Sequence, residues 1–179
     1  LYVEPKSNGS GNEIVFDVAD DSIPLNYYKA IEEGVQDALV TGVLGNYAVI
    51  NTKISIVSGE ARDNESSEMA FRSAAVMAIR LAINEGDPIL LEPIMLVEIS
   101  TPEEYLGDVM GDINSRRGKI REIQASNDLQ TVLADVPLAE IFGYATTLRS
   151  LTKGRASYTM EPQAFEPVPA NMINQILNR

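Results

Sequence analysis

Short runs in which apolar and polar residues alternate give way, along this chain, to longer runs with an apolar residue at every third or fourth position. Residues 13–18, EIVFDV, have the alternation of a strand, and DDSIP after them reads as a turn. Pro24 suits a first helical position, and Tyr28, Ile31, Val35 and Leu39 then recur on one helix face until Gly42 and Gly45 stop the run. NTKISIV, from residue 51, alternates again and puts Ile50, Thr52, Ile54 and Ile56 on one face of a strand. A polar loop, SGEARDNE, leads into SSEMAFRSAAVMAIRLAINEG, a long helix ending at Gly86 whose alanines let it lie close against a sheet. The first segment is thus β-α-β-α in pattern. PILLEP, residues 88–93, has proline at both ends and reads as a hinge into a second domain.

The second segment repeats itself. IMLVEIS predicts a strand, and PEEYLGDVMGDINSRRG a helix with the apolar stripe Tyr105, Val109 and Ile113, ending in a basic turn. A shift of 36 positions puts Leu106 on Phe142, Gly107 on Gly143, Val109 on Ala145, Arg117 on Lys153, Gly118 on Gly154 and Lys119 on Arg155. Pro102 matches Pro137 with a slip of one residue. Strand, helix, basic glycine turn and strand therefore occur twice, which predicts a split β-α-β, ferredoxin-like sandwich. The fold class is α/β (α+β), and NMINQILNR at the end reads as a short tail helix.

Composition narrows the chemistry. The 179 residues, 45% of them hydrophobic, suffice for one domain or two small ones with a proper core. The chain has no histidine and no cysteine, which removes histidine-based triads, thiol nucleophiles, disulfides and His/Cys zinc sites. It has no GxxxxGK[ST] loop, so no nucleotide hydrolysis is expected of it. No apolar run approaches the ~18–20 residues of a membrane span, and LYVEPKSNGSGNE lacks the basic start and apolar middle of a signal peptide. A cytoplasmic location without membrane contact is expected. Glu103 and Glu104 follow Thr101 and Pro102 with the spacing of a capping box at a helix start, which sets helix capping ahead of catalysis. The acid-rich stretches 17–21 and 60–68 lack the glycine spacing of a calcium loop and read as solvated loops. No catalytic, metal-binding or cofactor-binding residue is expected.

Charge distribution carries the remaining signal. The chain has 26 acidic and 14 basic residues, a formal charge of −12, yet residues 143–160, GYATTLRSLTKGRASYTM, hold no acid at all. Seven of the fourteen basic residues lie in two windows, Arg116, Arg117, Lys119 and Arg121 in one, Arg149, Lys153 and Arg155 in the other. Both windows follow a helix and enter a strand, at equivalent points of the repeat and, for a pseudo-twofold sandwich, at opposite ends of the sheet. One reading is helix C-capping, in which cations favour the negative helix end and glycine supplies the left-handed turn. The other is a phosphate-binding surface of arginine forks and hydroxyl donors. The pattern alone leaves both open.

NESSEMAF (64–71), LLEPIM, TPEEYLGDVMGDINSRRGKI, DVPLAEIFGYATTLRSLTKGRASYTM and FEPVP carry a resemblance. The chain resembles, over essentially its whole length, the C-terminal part of bacterial elongation factor G, the GTPase that drives translocation on the ribosome. The resemblance implies that residues 1–92 are domain IV-like, with a left-handed crossover and with the family's first strand and glycine-rich loop missing, which would leave a sheet edge unpaired near residues 1–18. It implies that residues 93–179 are domain V-like, a ferredoxin-like fold with the C-terminal tail helix. GTP and Mg²⁺ would bind in an N-terminal domain outside this chain, so the chain itself would be no enzyme. The implied partners are the ribosome, through ribosomal RNA and ribosomal proteins, and the tRNA–mRNA pair at the decoding region, met by a monomer. Arg116, Arg117, Lys119, Arg121, Arg149, Lys153 and Arg155 become RNA-contact candidates, and phosphate repulsion would account for the acid-free segment.

One departure concerns the tip loop of domain IV. Where the family has a Gly-Gly pair, this chain has Asp20 and Asp21, followed by Ser22, Ile23 and Pro24. Such carboxylates would be unfavourable for phosphate contact and could instead meet protein, cap the next helix or bind Mg²⁺. Residues 1–93 carry 15 acids and 6 bases, against 11 and 8 in residues 94–179. The acidic first segment admits a second reading, a paralogue specialised for ribosome recycling. A tetracycline-resistance-type ribosome protection protein fits less well, because EMAF and GYATTLRS keep the translocation factor's spelling. From another class, a free-standing ferredoxin-like regulatory domain would bind a small ligand.

Overall fold

The computed structural model describes all residues except 19–21, 63–64, 127 and 178–179, and the backbone alone of Ser126. Two compact units divide the chain, Leu1–Leu90 with Pro169–Arg179, and Leu91–Val168, so the boundary falls inside PILLEP.

The first unit contains β1 (Tyr2–Pro5), β2 (Glu13–Phe16), a 3-10 turn (Leu25–Tyr27), α1 (Tyr28–Thr41), β3 (Thr52–Ile56) and α2 (Glu68–Glu85). β3 lies between the other two strands, antiparallel to β1 and parallel to β2, with Ile54 opposite both Val3 and Ile14. A parallel pair cannot be joined by a tight turn, and α1 supplies the crossover. β1 was not foreseen, because LYVEP is too short to show a period and is held as a strand by the edge of β3. Val35, Ile54 and Ile79 are wholly buried in this core, with Ile31, Leu39, Ile56 and Ile83 around them. The small residues of α2 serve a helix contact more than the expected sheet contact. A Cβ on Gly34 of α1 would stand 2.4 Å from the Arg72 carbonyl oxygen and 3.1 Å from the Ala75 Cβ. Ser67 caps α2 by accepting a hydrogen bond from the Ala70 N–H at 3.1 Å.

The second unit runs β4 (Leu91–Pro102), a 3-10 turn (Glu103–Tyr105), α3 (Leu106–Ser115), β5 (Lys119–Ser126), β6 (Leu129–Pro137), α4 (Leu138–Ile141), α5 (Tyr144–Leu151) and β7 (Ser157–Pro167). The sheet order is β5-β6-β4-β7 with every neighbouring pair antiparallel, which is the split β-α-β sandwich. Strand alternation sends Met95, Val97, Ile99, Val132, Ala134 and Val136 to one face, where they pack with Val109 and Ile113 of α3 and Tyr144 and Leu148 of α5. The register places the two basic turns at opposite ends of the sheet. Lys119 at the start of β5 pairs with Asp135, which lies beside Leu96 near the start of β4, whereas Ser157 at the start of β7 pairs with Ser100 near its end.

Two local expectations are corrected. Thr101 and Glu104 form no capping box. β4 continues through Thr101 and Pro102, paired with Gln130 and Leu129, so Thr101 is buried in the sheet and the 3-10 turn begins without a side-chain cap. The helix of the second repeat is also interrupted. α4 ends at Ile141, Phe142 is extended and 75% exposed, and Gly143 takes a φ of 74° before α5 begins. Its repeat partner Gly107 lies inside α3. The tail helix forms as α6 (Ala170–Leu177), expected with the second domain but grouped with the first unit. There a Cβ on Gly45 would come within 2.8 Å of Leu177.

Candidate nucleic-acid interface

The two basic turns share one backbone device. α3 closes with the Gly118 N–H donating to the Ile113 carbonyl at 2.9 Å, and α5 with the Gly154 N–H donating to the Arg149 carbonyl at 2.9 Å. These are the six-to-one bonds of a Schellman cap, and the residue before each glycine takes the left-handed position. That residue is Arg117 (φ 59°) in one half and Lys153 (φ 52°) in the other, the pair matched by the 36-residue shift. A long side chain in a left-handed conformation is uncommon, and here each helix end carries a cation at that position.

The side chains then diverge. Arg116 donates from Nε to Asp112 at 2.7 Å, from Nη1 to the Glu140 carbonyl at 2.6 Å and from Nη2 to the Thr147 hydroxyl at 3.2 Å. Its guanidinium carbon also lies 5.0 Å from the centre of the Tyr144 ring. Arg117 grips Glu92 with both terminal nitrogens, at 2.7 and 2.9 Å, and donates from Nε to Glu140 at 3.0 Å. Hydrogen bonds to Glu92 raise the Arg117 pKa above its ordinary value, against the opposing effect of burial. Glu92 is itself 9% exposed, so this fork neutralises a carboxylate inside the unit. Lys119 pairs with Glu166 at 3.0 Å and Arg121 with Asp135 at 2.6 Å. Every cation of the first window therefore lies on a carboxylate.

In the second window Arg155 pairs with Glu104 and lies over the Tyr105 ring, 5.7 Å from its centre. Arg149 and Lys153 are exposed and make no ion pair among the described residues. α5 turns Tyr144 and Leu148 into the core. Buried Thr152 seals its end, donating to the Leu148 carbonyl at 2.7 Å and accepting from the Ala156 N–H at 3.2 Å. The opposite face presents Thr146, Arg149, Ser150 and Lys153, all exposed and at positions i, i+3, i+4 and i+7. The result is a stripe of hydroxyls and unpaired cations with no carboxylate between residues 143 and 160, a surface suited to phosphate oxygens. Beneath it the Tyr144 hydroxyl is buried without a hydrogen-bond partner among the described residues. Burial raises its pKa, helped by Asp112 and opposed by Arg116.

Asp20 and Asp21 of the other candidate loop lie outside the described residues. Ser22 is exposed, and buried Ile23 anchors that end of the loop, its Cδ1 2.6 Å from where a Cβ on Gly59 would be. Among the described residues no group of three or more Asp or Glu side chains is placed to hold a metal ion. The acids Glu92 and Glu140, which decide what the first window does, were missed by sequence reasoning. They lie 25 and 23 residues from Arg117, and only the sandwich brings them to it.

Comparison with known proteins covers the chain almost end to end. The family profile described as Elongation factor G, domain IV matches residues 1–87, and that described as Elongation factor G C-terminus matches residues 89–176. Elongation factor G of Chlamydia caviae is 46% identical over 179 residues, all of this chain and 26% of that protein. Elongation factor G of Dehalococcoides mccartyi is 45% identical over 177 residues, 99% of this chain and 26% of that protein. The chain thus spans about a quarter of the length of these relatives. A crystal structure of a protein from Thermus thermophilus superimposes with a TM-score of 0.90 at 35% identity, covering 98% of this chain and 26% of the other.

Proposed function

Because the chain belongs to the elongation factor G family, we propose that it is the ribosome-contacting C-terminal module of a translational GTPase, promoting tRNA–mRNA translocation in the cytoplasm. In this reading residues 1–92 act as domain IV and residues 93–179 as domain V, while the remainder of the parent protein holds GTP and Mg²⁺. The module acts mechanically, through shape and RNA contacts, and as a monomer.

The observation that carries the assignment of an RNA-facing surface is the stripe of α5, where Arg149 and Lys153 are exposed, make no ion pair among the described residues and lie in a segment without carboxylates. Arg116 and Arg117 are assigned to the frame, because their donors are taken by Asp112, Glu92, Glu140 and Thr147. Lys119, Arg121 and Arg155 are exposed but paired, and add less. The test uses a full-length chimera in which residues 1–179 replace the matching segment of the Chlamydia caviae relative. Arg149→Glu with Lys153→Glu should weaken ribosome binding and reduce the slope of log affinity against log salt by about 0.7–0.9 for each phosphate no longer neutralised. An unchanged affinity and slope would remove α5 as the RNA-facing surface.

A second reading, specialisation for ribosome recycling, is favoured by one observation, the 15 acids against 6 bases in residues 1–93. Single-turnover translocation and recycling-factor-dependent subunit splitting, followed separately on the same chimera, distinguish the two. Splitting without translocation would establish recycling.

A further inference from the structure

The helices cover only one face of the β5-β6-β4-β7 sheet, and the other face has its own composition. In strand order β7, β4, β6, β5, its rows read Ser157–Ser100–Thr131–Gln124, Thr159–Glu98–Leu133–Glu122 and Glu161–Leu96–Asp135–Lys119. Leu96 and Leu133 are diagonal neighbours at the centre, half-buried and part of neither hydrophobic core. Glu98, Glu122 and Glu161 surround them, exposed and without an ion pair among the described residues. The two cations on this face are already engaged, Lys119 by Glu166 and Arg121 by Asp135. The second oxygen of Asp135 is buried without a hydrogen-bond partner among the described residues. The face therefore has an apolar centre and a hydroxyl-rich border, and its three free carboxylates are uncompensated.

We propose that this open sheet face is a docking surface for a basic protein of the ribosome. The inference deepens the proposed function and rests on it. Charge complementarity selects the occupant. Three free carboxylates repel a phosphate backbone and attract lysine and arginine, and a fixed pattern of like charge suppresses wrong partners. The leucine pair supplies the desolvated centre and the Ser/Thr rows the polar rim that protein–protein contacts use. The same unit thus presents two surfaces of opposite chemistry, the acid-free stripe of α5 toward RNA and the carboxylate-ringed sheet toward protein.

The test uses the full-length chimera on purified ribosomes, with the photo-crosslinking residue p-benzoylphenylalanine placed at exposed Gln124 or, in a second variant, at exposed Ser150 of α5. The Gln124 probe is expected to give adducts with a ribosomal protein. Glu98→Lys with Glu161→Lys should reduce that yield about tenfold, as expected when like charges oppose across an interface, while circular dichroism stays unchanged. Adducts from Gln124 to ribosomal RNA, or only to the factor's own remaining domains, would overturn the proposal. So would silence at Gln124 while Ser150 labels RNA, and that result would leave the RNA-facing assignment standing. A ribosomal-protein adduct from Gln124 with no RNA adduct from Ser150 would support the docking surface and remove α5 as the RNA face. Silence from both probes would overturn both.

Discussion

The turn after α3 and the turn after α5 are two copies of one cap in different surroundings. Both end a helix in a Schellman bond, both hold a cation at a left-handed φ, and both lead through glycine into a strand. Around Arg117 the fold delivers Glu92 and Glu140, and the cation becomes part of the frame. Lys153 makes no ion pair among the described residues, and the cation is exposed. Capping and ligand contact are therefore not rival explanations of one sequence signal. The backbone device is common to both halves, and the acids that tertiary structure brings to it set the outcome.

The largest expected effect tests that division directly. Arg117→Ala leaves Glu92, 11% exposed at its side chain, without its bidentate partner. Removing one member of such a pair should cost about 3 kcal/mol of unfolding free energy. Lys should not restore it, since a point charge cannot reproduce the fork. Lys153→Ala keeps the same backbone strain and loses no ion pair seen among the described residues, so its change should lie within about 0.5 kcal/mol. Urea denaturation of the four proteins, wild type included, measures this. Equal losses at the two sites would break the comparison.

The glycines of the two caps differ in what they provide. A Cβ on Gly118 would stand 2.5 Å from the Ile113 Cγ2 and 2.7 Å from the Ile113 carbonyl oxygen, so that site is closed by packing. A Cβ on Gly154 would meet nothing within 4 Å, but the residue lies at φ +76°. Gly118→Ala should cost about 2–3 kcal/mol through overpacking, and Gly154→Ala about 1 kcal/mol through the left-handed backbone alone. Asn, which tolerates that backbone region, should recover most of the loss at 154 and none at 118. Thermal midpoints of the Ala and Asn variants at each site separate the two causes.

Much of this architecture is legible in the chain because amphipathic period and repeat report local and pairwise geometry. The 36-residue shift put Arg117 on Lys153 before any backbone angle was known, and the sandwich followed from the doubled motif. Partner identity was not legible, since Glu92 and Glu140 reach Arg117 across more than twenty residues of intervening fold. The capping box at Thr101 failed for a related reason. Its local signal competes with strand pairing, and the ladder to Gln130 and Leu129 wins. β1 escaped notice because a four-residue strand is specified by the neighbour it joins. At the candidate interface the sequence showed where carboxylates are missing, but not which cations remain unpaired.

The smallest expected effect concerns the layer that both turns rest on. Tyr144 lies wholly buried under the Arg116 guanidinium, with its ring against Tyr158 and its hydroxyl without a partner among the described residues. Tyr144→Phe removes an unsatisfied group and keeps the ring, so it should stabilise the protein by up to about 1 kcal/mol near neutral pH. Burial raises the folded-state pKa of this phenol above that of the unfolded chain. Its contribution to stability is therefore intact below the unfolded value of about 10 and is lost as pH rises through the folded value. The Phe variant has no such group, so its advantage should widen when urea midpoints are compared at pH 8 and pH 10.5. A variant less stable than wild type at pH 8 would mean that the hydroxyl holds a bound water or hydrogen bond in solution. The floor beneath Arg116 would then be a polar network and not an apolar one, and part of what restrains the first turn would come from beneath the helices as well as from Glu92.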